Sequence, residues 1–292
     1  MSHIDPFTHA PPPPAGTVMI WQNYHQPAQR AGLDPAFIPL DGTANPRTEF
    51  RELALFARAY HSGRHLLAGH TGILSAKFGA KTGIGGAAFL DFIAANPGAD
   101  VYFINPFPQN AYFSFNVWEH AEQCHPGLTA LAQQLLWRAG SDICLATLGR
   151  NAADTLLYAN YWVGNRRFWD RFMDLVLRLL AAFEAMSAAE RAPYLALDDD
   201  YADPVPKLPF LFERIFSTLL LDDRARAAAP LRARAWPHTR ASALRAADGP
   251  HEYRLVRAFG EMIDEIDRLG AYDARDRALF AALAAMKRPA RR

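Results

Sequence analysis

Along the first half of the chain, short apolar runs alternate with stretches in which apolar residues recur every three or four positions. The runs at 17–21, 65–68 and 101–104 read as strands. Residues 49–60 and 86–95 read as helices, with Leu53, Phe56 and Tyr60 on one face and Phe89, Phe92 and Ile93 on another. Strands alternating with helices are the signature of βαβ units, so the pattern predicts an α/β fold with a mostly parallel sheet covered by helices. From residue 168 the period stays helical, over 168–186, 210–221, 253–269 and 273–286, with Pro-rich or Ala/Arg-rich connections. The second half therefore reads as a helical C-terminal portion. No internal repeat is visible, and the linkers at 198–209 and 222–251 are too short to argue for independent domains. Residues 17–286 are expected to form one domain, between a disordered tail at 1–16 and a basic tail at 287–292.

Composition narrows the partners. Of the 292 residues 50% are hydrophobic and 12% aromatic, enough for a substantial core. The formal net charge is +1, which supplies no global field to gather nucleic acid or anionic membrane, and no basic stripe is interleaved with aromatics. Nucleic acid is therefore not an expected partner. Cys124 and Cys144 are not in a CxxC arrangement, so neither a disulfide scaffold nor a four-cysteine zinc site is available, and a cytoplasmic location is expected. The start, with prolines at 11–14, lacks a secretory pattern, and no run is apolar enough to span a bilayer, which leaves peripheral membrane association as the form a membrane partner would take.

Four segments carry candidate chemistry. Residues 75–86 combine Lys77 and Lys81 with four glycines between a strand and a helix. Such a loop can hold phosphate, because glycines let N–H groups approach an anion and the helix N-terminus adds partial positive charge. It matches neither GxxxxGK[ST] nor GxGxxG, and it reads equally as a turn with solvated lysines. Asn105, followed by Pro106, stands at a strand's C-terminal end, where α/β sheets place ligands; a side-chain cap of the turn is the other reading.

Residues 116–127 form the densest polar cluster, with Trp118, Glu119, His120, Glu122, Cys124 and His125. His120 and Cys124 stand at i and i+4, yet HExxH is absent and Pro126-Gly127 ends the helix there, so no metal site is expected. Sugar recognition suits the cluster better: Trp118 offers a flat face to a pyranose, and Glu119 or Glu122 can take hydroxyl protons. Packing and capping would use the same residues. Asn160 and Asn165 sit among aromatics, either organising backbone or lining an acceptor pocket. Glu213 and Arg214 interrupt an apolar helix, where unpaired charge is costly, so they should face a polar cleft or pair there. The acidic run Asp198-Asp199-Asp200 reads as a solvated loop.

These segments also carry a resemblance. Ile20-Trp21-Gln22-Asn23-Tyr24, the Asp34 to Asp41 stretch, Lys77-Phe78-Gly79-Ala80-Lys81-Thr82-Gly83 and Asn116-Val117-Trp118-Glu119-His120 with His125-Pro126-Gly127 resemble bacterial proteins of capsule and O-antigen regions described as glycosyltransferase-like. Asn160-Tyr161-Trp162-Val163, Phe168-Trp169 and Phe212-Glu213-Arg214 look like the paired signature of capsular-polysaccharide transferases. The resemblance implies a single Rossmann-like (GT-A-like) fold, a nucleotide-sugar donor at the sheet's C-terminal edge and a glycan acceptor, in surface-polysaccharide biosynthesis. It implies Glu119 and Glu213 as base candidates, Lys77, Lys81, Asn105 and Arg214 at the donor, and Trp118, His120, His125 and Asn160 at the sugar. No Asp-x-Asp ends a predicted strand, so a divalent cation, Mg2+ or Mn2+, is left open. So are two alternatives: a catalytically silent carbohydrate-binding or scaffold protein, and a zinc hydrolase using His120, Cys124 and His125.

Overall fold

The computed structural model describes residues 16–198 and 205–287. The proline segment, Asp199, Asp200 and the basic tail beyond Lys287 lie outside them. In chain order the elements are β1 (Val18–Tyr24), β2 (Ile38–Asp41), α1 (Glu52–His61), β3 (His70–Ser75), α2 (Phe78–Thr82), α3 (Gly86–Ala95), β4 (Val101–Phe103), α4 (Val117–Cys124) and α5 (Leu128–Arg138). There follow β5 (Trp162–Gly164), α6 (Arg166–Glu184), α7 (Ala188–Leu195), the two-residue strands β6 (Leu197–Asp198) and β7 (Val205–Pro206), then α8 (Lys207–Glu213) and α9 (Ile215–Arg226). Last come β8 (Ala233–Ala235), α10 (Arg240–Ala246), α11 (Gly249–Leu269) and α12 (Ala274–Lys287). Among the described residues no helix is long and apolar enough to cross a membrane.

Backbone contacts gather the chain into two compact units. The first takes the described residues up to 104, with 160–178 and 231–234; the second takes 105–159, 179–230 and 235 onward. The sequence pattern placed 17–286 in one domain, and it did not show that the second unit draws residues 105–159 from the middle of the chain.

The first unit is built on a six-stranded sheet in the order β2-β1-β3-β5-β4-β8. β1 pairs parallel with β2 and β3, whereas β5 runs antiparallel between β3 and β4. The fold is thus the expected α/β class with a mostly parallel sheet. Its core centres on Trp162 of β5, fully buried and stacked on Phe56 of α1 at 4.9 Å, with Trp169 of α6 at 4.8 Å. Pairs of this geometry add about 0.5–1.5 kcal/mol beyond the area they bury. Asp100, just before β4, fastens the unit's late segments by accepting from Arg167 Nη1 at 2.8 Å, Asn165 Nδ2 at 2.9 Å and the Arg232 N–H at 2.9 Å. Burial alone would raise its pKa, but the hydrogen bonds from Arg232 and Asn165 and the charge of Arg167 outweigh it and hold the carboxyl below the usual range.

The expected strand at 65–68 is absent: Arg64–Leu66 form a 3-10 turn, Leu67 is 50% exposed, and the strand begins at His70. The helix expected over 210–221 is two helices, because Arg214 breaks it, between α8 and α9.

In the second unit, Asn116 caps α4, its side chain accepting from the N–H groups of Trp118 and Glu119. The Arg150 side chain, fully buried, is the unit's internal tie. It donates to Asp267 on α11 from Nε at 3.0 Å and Nη2 at 2.9 Å, to the carbonyls of Ser114 at 2.6 Å and Phe115 at 3.2 Å, and to that of Ala111. Its guanidinium also lies 4.1 Å from the Phe280 ring centroid of α12.

Candidate functional site

The first unit's sheet has a switch point beside β1. β2 lies on one side of β1 and β3 on the other. At such a point a crevice opens at the strands' C-terminal ends. That edge is where this unit concentrates polar side chains. Gln22, 1% exposed, donates from Nε2 to the Ser75 carbonyl at 3.2 Å and accepts from the Asp34 N–H at 2.7 Å. The Ser75 hydroxyl meets the Tyr161 hydroxyl at 2.8 Å. Burial, then the hydrogen bond with Asp41, raise the Tyr24 phenol above its usual value. Asn160, which leads into β5, has φ of 53° and a buried Oδ1 with no hydrogen-bond partner.

Lys77 and Lys81 flank this edge, both exposed: Lys77 precedes α2, its N–H donating to Ser75 Oγ at 3.3 Å, and Lys81 sits in the last turn. Gly86, among the glycines around them, has another explanation than phosphate. The Gly86 N–H, at the start of α3, donates to Asp34 Oδ2 at 2.6 Å. A Cβ on Gly86 would lie 2.6 Å from Asp34 Oδ1 and 2.9 Å from Phe37 Cζ. The helix N-terminus that was expected to welcome an anion is thus occupied by the protein's own carboxylate.

In the second unit, Trp118 is buried and donates from Nε1 to Thr218 Oγ1 at 2.8 Å, so its ring packs in the core and offers no face to a pyranose. His125, 3% exposed, stacks on Phe210 at 4.0 Å. Glu119 is ion-paired with Arg277 at 2.6 Å. Arg214, 2% exposed, donates from Nε to the Val117 carbonyl at 3.1 Å and from Nη1 to that of Phe210 at 2.6 Å, tying the α8–α9 break to α4. Glu213, half-buried, ends α8 beside it.

His120 packs between Tyr158 and Cys124. Its ring lies 5.1 Å from Tyr158, its Nε2 is 3.6 Å from Cys124 Sγ, and its Nδ1 is buried without a hydrogen-bond partner, as is the Tyr158 hydroxyl. Burial, then the charges of Arg214, Lys287 and His125, push the imidazole well below its usual pKa, so it is neutral at pH 7. Among the described residues no group of three or more His, Cys, Asp or Glu side chains is placed to hold a metal. Asn105 spends its amide on Phe107, Oδ1 accepting from the N–H at 3.1 Å and Nδ2 donating to the carbonyl at 3.2 Å. It caps the turn.

The site residues that sequence reasoning missed are Gln22, Ser75 and Tyr161 in the first unit and Arg150, Tyr158 and His238 in the second. Gln22 and Tyr161 lie in segments that carry the resemblance and Ser75 opens the lysine-glycine loop, whereas Arg150 and His238 lie in no motif. No model of a known protein family matches the chain, and no curated protein sequence is similar to it. A solved structure titled as the apo form of WbbM, a bifunctional glycosyltransferase, is similar at 12% identity and a TM-score of 0.46, over 75% of this chain and 44% of that one. The chain thus spans less than half the length of that protein chain.

Proposed function

We propose that the chain is a glycosyltransferase of surface-polysaccharide assembly that takes a nucleotide-activated sugar at the C-terminal edge of the first unit's sheet. The observation that carries the reading is the switch point between β1 and β3, edged by Gln22, Ser75, Tyr161 and the unspent Asn160 amide oxygen. A left-handed non-glycine residue costs of order 1–3 kcal/mol and persists where the surroundings or the function require it. In this reading the Asn160 amide meets the nucleoside, and Lys77 and Lys81 meet the diphosphate as exposed cations.

Thermal denaturation of the full chain with UDP, GDP and CMP tests the reading. A nucleotide at 100 times its dissociation constant should stabilise the protein by about 2.7 kcal/mol, and Lys77→Ala and Lys81→Ala should each reduce that gain. No stabilisation by any of the three, or a gain equal in both variants, removes the donor from this edge.

A further inference from the structure

We infer that the second unit holds a binding site for a neutral saccharide, in a cavity where the Arg240 guanidinium and the Asp264 carboxylate are the contacting groups. The cavity has a volume of about 770 Å³, within the usual range for small-molecule sites. Its charged lining is three arginines and three aspartates, and they pair: Arg150 with Asp267 at 2.9 Å, Arg224 with Asp154 at 2.7 Å, and Arg240 with Asp264 at 3.6 Å. His238, also in the wall, is held below its usual pKa by burial and adds no charge at pH 7. A balanced wall of this kind offers no net attraction to a phosphate or nucleotide.

Of the three pairs, Arg240 and Asp264 keep the most hydrogen-bonding capacity: Arg224 already holds Asp154 from Nη1 to Oδ2 at 2.7 Å and from Nη2 to the carbonyl at 3.4 Å. Arg150 spends all its donors on Asp267 and three carbonyls, and Asp267 also accepts from Tyr272 at 3.2 Å. Arg240, by contrast, makes no hydrogen bond to a described residue, and its contact with Asp264 is long. Asp264 accepts from the Tyr112 hydroxyl at 2.8 Å on Oδ1, and its Oδ2 has only the 3.6 Å contact with Arg240 Nη1, which is too long for a hydrogen bond. The two side chains are 40% and 47% exposed, so a ligand can reach them. A planar set of donors beside a carboxylate oxygen that makes no hydrogen bond matches vicinal hydroxyls, each of which accepts from one group and donates to the other.

The arrangement is positioned from below. Gly260 of α11 lies under the Arg240 stem: a Cβ there would come within 2.7 Å of Arg240 Cδ and 3.4 Å of Tyr112 Cε1. The glycine lets the arginine lie flat against α11, beside Asp264 one helical turn on. None of Trp118, His120, His125 and Asn160, the sugar residues expected from the sequence, lines this cavity; Asn105 does.

The site does not rest on the donor reading, since a carbohydrate-binding protein without transfer would have the same one. Saturation-transfer difference NMR on the full chain tests it, with methyl α-D-glucopyranoside, methyl β-D-galactopyranoside and methyl α-D-mannopyranoside as probes and inorganic pyrophosphate as competitor. At least one glycoside should receive saturation, unaffected by pyrophosphate. Asp264→Asn, which keeps an acceptor for Tyr112, and Arg240→Ala should each weaken it about tenfold with thermal midpoints near that of the parent. Gly260→Ala should weaken it too, by displacing Arg240. Saturation of no glycoside, equal binding in both variants, or displacement by pyrophosphate would overturn the inference. A chain that binds a glycoside through Arg240 and Asp264 but no nucleoside diphosphate would refute the donor reading and leave this one standing.

Discussion

Arg150 and His120 are both shaped by burial, in opposite ways. Arg150 keeps its charge because Asp267 and three carbonyls replace the water it lost, so Arg150→Met strips those carbonyls of their donor and leaves the carboxylate with the Tyr272 hydroxyl and no counter-charge. Removing one partner of a buried pair costs about 3–5 kcal/mol, and urea denaturation should show a loss in that range. A loss under about 1 kcal/mol would mean that water replaces the guanidinium freely. His120 keeps no charge, because burial and Arg214 oppose it. Its folded pKa is depressed, so below the unfolded value of about 6.5 the unfolded chain binds the extra proton, and stability falls as pH falls. His65 and His238 are depressed by burial too and act in the same window. His120→Gln should therefore lower the proton uptake on unfolding by up to one at a pH just under 6, and an unchanged slope of stability against pH would contradict the burial of Nδ1. Neither behaviour was legible in the sequence. Arg150 sits in no motif, and its carboxylate lies 117 residues away.

Elements were legible where the local period agreed with tertiary packing. The helix over Gly86–Ala95 needed only its apolar spacing and its glycine start. The strand β3 defeated the same reasoning: His65-Leu66-Leu67-Ala68 is the more apolar run, yet the sheet takes His70–Ser75, since pairing with β1 along six residues outweighs local hydrophobicity. The glycines of 79–86 show the same split between local and tertiary causes. Gly86 is fixed by the approach of Asp34 and Phe37, so Gly86→Ala should destabilise, by an amount in the overpacking range of about 1–3 kcal/mol. Gly79, inside α2, has nothing closer than 3.9 Å to a built Cβ, so Gly79→Ala should stabilise by about 0.4–1 kcal/mol. Differential scanning calorimetry of the two variants decides it: shifts of the same sign would show that the loop's glycines share one role, as a phosphate loop requires.

At the scale of the whole molecule, the two units differ in how the chain supplies them. The first unit is not contiguous, because its sheet is completed by β5 and β8, which come after more than fifty residues of the second unit. β5 is an inner strand: Gly164 pairs with Thr71 of β3 and with Val101 of β4, and Trp162 fills the core against Phe56 and Trp169. Without it β3 and β4 lose their shared neighbour, and the exposed strand edges and the gap left by a fully buried tryptophan both oppose folding. A fragment ending at residue 159 contains β1 to β4 and every helix between them, so a fold assembled locally in βαβ units would survive the cut. We expect that it does not. The fragment should lack dispersed amide resonances and a cooperative thermal transition, while the full chain shows both. A folded 16–159 fragment would place the determinants of the sheet in its first four strands and make β5 an addition to a finished structure.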